Sequence, residues 1–246
     1  MSDVIISGGF SMRKGDVRRQ AILDVAERLF YKNGYEYTSV QDVLDEMSMS
    51  KGGFYHHFES KLALLEAICA QRSEGGYETC EATVSASRGN AVDKLNLLFE
   101  HGFFFGQDSA DSLVLMVSVI YRDGCAQLKD ALHRTQIRLY LPLMTRIIHE
   151  GVQDQLFYTQ DPDALARILL MMNNCMTDEV SEAIAHSEDE TVAQTILELI
   201  QAYRRSVELL LNAPYGSIRL LELERAIEVI RMTQTQDRRT NAATAV

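Results

Sequence analysis

The run Lys51-Gly52-Gly53-Phe54-Tyr55-His56 places a cation, two residues without side-chain bulk and two outward polar rings within two helical turns. A short helix opening at Lys51, just after Ser50, has nothing bulky over its first amides, so its start can approach a phosphate. Lys51 can donate to a guanine edge, whereas Gly52 and Gly53 read nothing and permit close approach. On such a helix Tyr55 and His56 project outward, while Phe54 and Phe58, four residues apart, share an inward face. Lys61 stands at the start of the next helix, where it can add a phosphate contact. Other chemistries find no such grouping. No nucleophile–base pair, paired carboxylates or glycine-rich phosphate loop can be placed together. The adjacent His56 and His57 point about 100° apart on a helix and do not readily chelate one ion. No catalytic residue, metal or cofactor is expected.

These residues need a frame, and the sequence marks one. A first helix is expected from an N-cap at Asp16, with Ile22, Val25, Ala26, Leu29 and Phe30 on its apolar face, ending at Asn33-Gly34. Ser39 caps a second helix, with Asp42 three residues on as its capping-box partner and Val40, Val43, Leu44 and Met47 inside. Ser48-Met49-Ser50 forms a tight polar break before a third helix over 51–57. Ser60 then caps a long fourth helix. Two short helices joined by about three residues and braced by a longer one are the parts of a helix-turn-helix. Further helices are expected over 91–105, 109–122, 125–151, 162–186, 189–211 and 216–236. Asp161-Pro162 is a strong start signal, and Pro142 should bend the helix that contains it.

Composition fits an all-α protein: three prolines, no tryptophan and 46% hydrophobic residues in 246, with long stretches of good helix formers. Cys69, Cys80, Cys125 and Cys175 form no C-x-x-C pair and follow no secretory signal, so they are expected as reduced, mostly buried thiols in the cytoplasm. No apolar run reaches membrane-spanning length. The net charge of −11 is uneven, because residues 1–65 hold eight Lys/Arg against nine Asp/Glu. The acid therefore belongs to the rest of the chain, which should face away from any polyanion. Arg13, Lys14, Arg18 and Arg19 read equally as an arm toward DNA or as a solvated face.

The runs Thr38-Ser39-Val40-Gln41-Asp42-Val43 and Ser50-Lys51-Gly52-Gly53-Phe54-Tyr55-His56-His57-Phe58-Glu59-Ser60-Lys61-Leu62 resemble the signature of the TetR/AcrR transcription regulators. Ala21-Ile22-Leu23, Leu29-Phe30, Gly34-Tyr35 and Leu64-Leu65 fit the same order and spacing. The resemblance covers about residues 17–66. It implies a homodimer on a partly palindromic double-stranded DNA operator, usually a repressor released when a small-molecule effector binds the larger domain. It further implies phosphate contacts at Thr38, Ser39, Gln41, Tyr55 and Lys61, with Lys51, Gly52, Gly53 and His56 at or near base edges. The family usually has glycine where this chain has Ser48, which costs up to ~1 kcal/mol if the backbone there is left-handed.

The expected organisation is a tail over 1–12, a DNA-binding domain over 13–66, a helical regulatory and dimerisation domain over 67–236 and a second tail over 237–246. In the larger domain Phe103, Phe104, Met116, Tyr121, Met144, Met172 and Met176 supply aromatic and thioether surface for an apolar pocket, with Asn173 as a polar contact. Helical core is the competing reading for each. Leu165, Ile168, Leu169, Met172, Ile196, Leu199, Ile200, Tyr203, Val207 and Leu210 form the stripe that in TetR-like proteins makes a four-helix dimer interface, although internal packing alone would produce it. Two other functions stand beside the ligand-responsive repressor: a DNA-binding regulator without a ligand, and, more remotely, a helical small-molecule-binding protein or enzyme.

Overall fold

The computed structural model describes residues 4–7, 10–102, 126–186 and 192–220. They divide into two compact units, one ending at Cys69 and one beginning at Ala70.

The first unit opens with a two-stranded antiparallel hairpin, β1 (Val4–Ser7) and β2 (Phe10–Arg13), in which Val4 faces Arg13 and Ser7 faces Phe10. The stretch read as a tail from its polar composition thus carries backbone pairing. Helix α1 (Lys14–Asn33) starts ahead of Asp16, which sits in the first turn rather than at the cap. There its charge meets the positive end of the helix dipole. Gly34 closes α1 with φ at +89° and donates its amide to Phe30 O at 2.9 Å, the left-handed ending that glycine allows without a Cβ penalty. Ser39 then caps α2 (Val40–Glu46) in a full capping box with Asp42, and Ser50 caps α3 (Lys51–Tyr55). Helix α4 (Lys61–Ala86) follows, with Ala63 N donating to Ser60 Oγ at 3.0 Å.

One core holds these elements. Ile22, Leu23, Ala26, Leu29 and Phe30 of α1 are buried, as are Val43 and Leu44 of α2, Phe54 of α3, Phe58, and Leu64 and Leu65 of α4. Val25, Val40 and Met47, expected inside, are only half-buried. Burying each large side chain contributes about 1.5–3 kcal/mol, so the short α2 and α3 are held by packing rather than by their own propensity. Arg28 joins Glu46 at 2.8 Å between α1 and α2. The Arg19 guanidinium lies 5.0 Å from the Phe58 ring centre.

The second unit adds α5 (Ala91–His101), α6 (Ala126–Gln153), α7 (Pro162–His186) and α8 (Val192–Leu211). Asp161 Oδ1 accepts from Ala164 N at 2.9 Å, so the acid-proline start signal operates as expected. Helix α6 runs on through Pro142. Cys80, Leu98, Tyr140, Met144, Leu169 and Val207 belong to one continuous core drawn from α4 to α8. Helices α7 and α8 run antiparallel, with Val180 and Ile184 packed near Val192 and Ile196 and Tyr203 Oη donating to Leu169 O at 3.1 Å. Burial pushes the Tyr203 hydroxyl well above the usual tyrosine range. It pushes the Cys80 thiol up to about 12, with the charge of Glu81 adding to the effect. Cys69 is also buried, whereas Cys175 is exposed.

The expected helix over 109–122, Cys125, and residues 221–246 lie outside the described residues. The helix expected from 216 does not start there, because residues 217–220 are non-helical. Pro214-Tyr215-Gly216 turns the chain, with Gly216 at φ +76°, and the following segment is tied down by side chains rather than by helical bonds.

Candidate nucleic-acid interface

The turn between α2 and α3 sets the aim of α3. Met49 N donates to Leu44 O at 2.9 Å and Ser48 N to Asp45 O at 3.2 Å, closing the end of α2. Ser48 takes φ +48° to do so, so the left-handed backbone for which glycine is the usual solution is present here with serine. Ser50 Oγ accepts from Gly53 N at 3.3 Å. The hydroxyl thereby occupies one of the first amides of α3, leaving fewer for an external phosphate than the glycine pair alone promised.

Phe54 turns fully inward and packs against Phe58 with ring centres 6.0 Å apart. That burial rolls the opposite side of α3 outward. Tyr55 is 54% exposed, and Lys51, Gly52 and His56 are exposed as well. A Cβ added at Gly52 would meet nothing within 4 Å, and one at Gly53 would touch only the Met49 side chain at 3.3 Å and Ser50 Oγ at 3.5 Å. No packing among the described residues explains glycine at position 52. An open hollow beside the turn is lined by Ser48, Met49, Ser50, Gly52, Gly53, His56 and His57, together with Arg18 of α1. Arg18 joins the site through the fold alone, because it is 30 residues or more from the rest of the hollow.

The residues implied by resemblance divide. Gln41 is exposed at the start of α2, with Nε2 donating to Asp45 Oδ1 at 2.7 Å. Ser39 is exposed but engaged: its hydroxyl donates to Asp42 Oδ2 at 2.7 Å and accepts from Asp42 N at 3.2 Å. The Ser39 backbone amide and hydroxyl hold the Asp42 carboxyl below its usual range. Lys61 is half-buried, its Nζ donating to Tyr35 O at 2.9 Å and lying 4.1 Å from the Tyr35 ring centre. Thr38 differs most from its expected part. It is 0% exposed, with its hydroxyl 2.8 Å from Gly34 O and 3.3 Å from Leu29 O. Its side chain braces the α1–α2 connection from within and presents nothing to a phosphate.

In the second unit, Met144 is fully buried in the core, and Met172 and Met176 pack against that core half-buried. Phe103, Phe104, Met116 and Tyr121 lie outside the described residues. Asn173, Asn174, Thr177 and Ser181 form a buried polar row on α7, where Asn173 Nδ2 and Ser181 Oγ have no hydrogen-bond partner among the described residues. The α7–α8 stripe is mainly internal, since Leu165, Leu169, Ile196, Ile200, Tyr203 and Val207 are buried within one chain. What remains on the surface is Ile168 at 47%, Met171 at 53%, Leu209 at 79% and Leu210 at 41%.

An exposed, glycine-opened α3 behind a capped α2 has the arrangement of a helix-turn-helix motif. Residues 22–68 match the tetR family of bacterial regulatory proteins. Several curated HTH-type regulators are 39% to 49% identical over 43 to 52 residues, and those matches span a quarter or less of each relative's length. The HTH-type transcriptional repressor Rv1474c of Mycobacterium tuberculosis is 26% identical over 177 residues, covering 64% of this chain and 91% of that protein. The fold is shared with a TetR-family regulator from Pectobacterium atrosepticum, at TM-score 0.59 and 22% identity over 82% of this chain and 97% of the other. It is shared also with FadR from Bacillus subtilis, solved in complex with stearoyl-CoA, at TM-score 0.52 and 19% identity over 80% and 99% of the two chains. Over residues 22–68 the chain is therefore similar to the TetR family of regulators, and the described helices share the fold of solved regulators of that family.

Proposed function

We propose that this protein is a cytoplasmic, homodimeric repressor that holds a partly palindromic operator through α3 and releases it when a small molecule enters the helical domain. The exposed start of α3, with glycine at 52 where nothing among the described residues excludes a side chain, carries this reading. Lys51 and His56 reach base edges, Gly52 and Gly53 admit the duplex, and Ser39, Gln41, Ser50, Tyr55 and Lys61 meet phosphates together with Arg18. Lys61 can do so while bonded to Tyr35 O, because its ammonium carries three hydrogens. Thr38 is left out as a side-chain contact and assigned to bracing.

Two features support effector binding. The buried polar row on α7 holds two groups without a partner among the described residues, each of which costs about 1–3 kcal/mol unless a ligand, water or another part of the chain satisfies it. The fold shared with a regulator solved in complex with stearoyl-CoA points the same way. Dimerisation is supported by the exposed Ile168, Met171, Leu209 and Leu210, apolar surface that a partner would cover. No helix among the described residues is long and apolar enough to cross a membrane. The domain limits we assign, 13–66 for DNA binding and 67–236 for regulation, remain part of this reading.

The purified protein should retard DNA from its own promoter region and lose it steeply as salt rises. An effector should raise the melting temperature and lower DNA affinity in the same concentration range. Absence of specific binding to any fragment of its genomic neighbourhood would overturn the assignment. A regulator without a ligand would bind DNA and show no such linked shift.

A further inference from the structure

A cavity of about 460 Å³ lies in the second unit between α5, α8 and the segment after α8. It involves none of the residues assigned above to the effector. Its walls are fixed by an unusual device. Asn96 of α5 donates from Nδ2 to Ser217 O at 3.0 Å and accepts at Oδ1 from Arg219 N at 2.7 Å. One side-chain amide thus brackets residue 218 as a neighbouring strand would. From α8, the buried Glu208 accepts from Ile218 N at 3.2 Å. Three successive residues of an otherwise irregular segment are pinned, which preorganises the cavity.

The lining has two characters. Leu197, Ile200, Ile218 and Leu220 give an apolar wall, while Arg204 and Arg219 supply two guanidinium groups. Arg204 Nε is buried and has no hydrogen-bond partner among the described residues, and its guanidinium carbon lies 5.9 Å from the Tyr215 ring centre. Arg219 makes no ion pair among the described residues. Glu100 is the single acid on the lining and is exposed, and the buried Glu208 lies one turn beyond Arg204 on α8, so the cavity offers a ligand two guanidinium forks rather than a net positive charge. A planar fork of N–H donors beside an apolar wall matches a carboxylate carrying a hydrocarbon body. The volume falls in the range of small-molecule sites.

We propose that this cavity binds an amphipathic carboxylate, with its head group on Arg204 and Arg219 and its chain along Leu197, Ile200, Ile218 and Leu220. The site is separate from the polar row on α7 and stands whether or not that row takes an effector.

Calorimetric titration of the full chain with decanoate, kept below its micelle concentration, tests it. One saturable site per chain is expected, weakened about ten-fold in Arg204→Gln and several-fold in the exposed variant Arg219→Gln, since each removes a charge-assisted pair. Decanol should bind at least about ten-fold more weakly, and Asn173→Leu should leave decanoate binding unchanged. Absence of a saturable site overturns the proposal. So does equal affinity for decanol, or affinity that survives in folded Arg219→Gln and in the double variant with Arg204→Gln. Loss of binding in Asn173→Leu with both arginine variants unaffected would move the site to the bundle interior and overturn it as well.

Discussion

Ser48 and Gly52 each depart from what the chain's own packing would select, in opposite senses. Ser48 holds φ +48° on an L residue, so Ser48→Gly should stabilise the protein by up to ~1 kcal/mol, measured by urea denaturation. Unchanged stability would mean that the turn relaxes around serine. Gly52 occupies ordinary helix with open space around it. Gly52→Ala should raise stability by up to about 1 kcal/mol and still weaken operator binding, because the added methyl meets the duplex. Retained affinity would show that nothing approaches α3 there. At Asp42 the folded carboxyl lies below its unfolded value because it accepts hydrogen bonds from Ser39. Its stabilisation is therefore fully present above about pH 3.9, the unfolded value, and fades as pH falls through the lower folded value. In acid melting curves Asp42→Asn should show a shallower decline below about pH 4 than the parent; parallel curves would remove this role. Local grammar made Ser39, Asp42 and Gly34 legible, since each acts on backbone within three or four residues. Thr38 was not, because its burial depends on how the connection folds back against α1, where Leu29 O lies nine residues away.

Among the helices, those whose ends carry their own signals were the most legible. The start of α7 follows from Asp161-Pro162, and the break after α1 follows from Asn33-Gly34. Helix α1 begins before Asp16, a place where no capping side chain dictates the boundary, and the start expected for α8 near 189 lies outside the described residues. The apolar spacing of α7 and α8 correctly marked a packed pair, but spacing alone does not tell a neighbour in the same chain from one in a second chain. Burial does: it separates internal Leu165, Leu169, Ile196 and Tyr203 from surface Ile168, Met171, Leu209 and Leu210. Paired substitution of Ile168 and Met171 by glutamate should yield a folded monomer by analytical ultracentrifugation, with operator affinity reduced as two half-sites lose their linkage. A dimer that persists would place the interface elsewhere. Exposed Cys175 lies on the same helix and gives an independent cross-linking readout.

For the whole molecule, the net charge of −11 opposes DNA binding unless it is segregated, and the sequence places most of that acid after residue 65. The helical architecture of the described residues from α1 to α8 was legible because apolar periodicity is a long-range average. The hairpin at residues 4–13 and the pinned segment after α8 were not, since Asn96 and Arg219 are brought together across 123 positions by tertiary packing. Arg18 joined the candidate interface in the same way. The central claim is that α3 reads DNA. The most direct test is fluorescence anisotropy of the full-length protein on promoter fragments from its genomic neighbourhood, across a salt series, beside Lys51→Ala. The parent should bind one fragment specifically, with log affinity falling linearly with log salt. Lys51→Ala should lose about 10- to 100-fold on that fragment at unchanged melting temperature. Equal affinity for all fragments, or a Lys51→Ala protein that binds as tightly as its parent, would contradict the account.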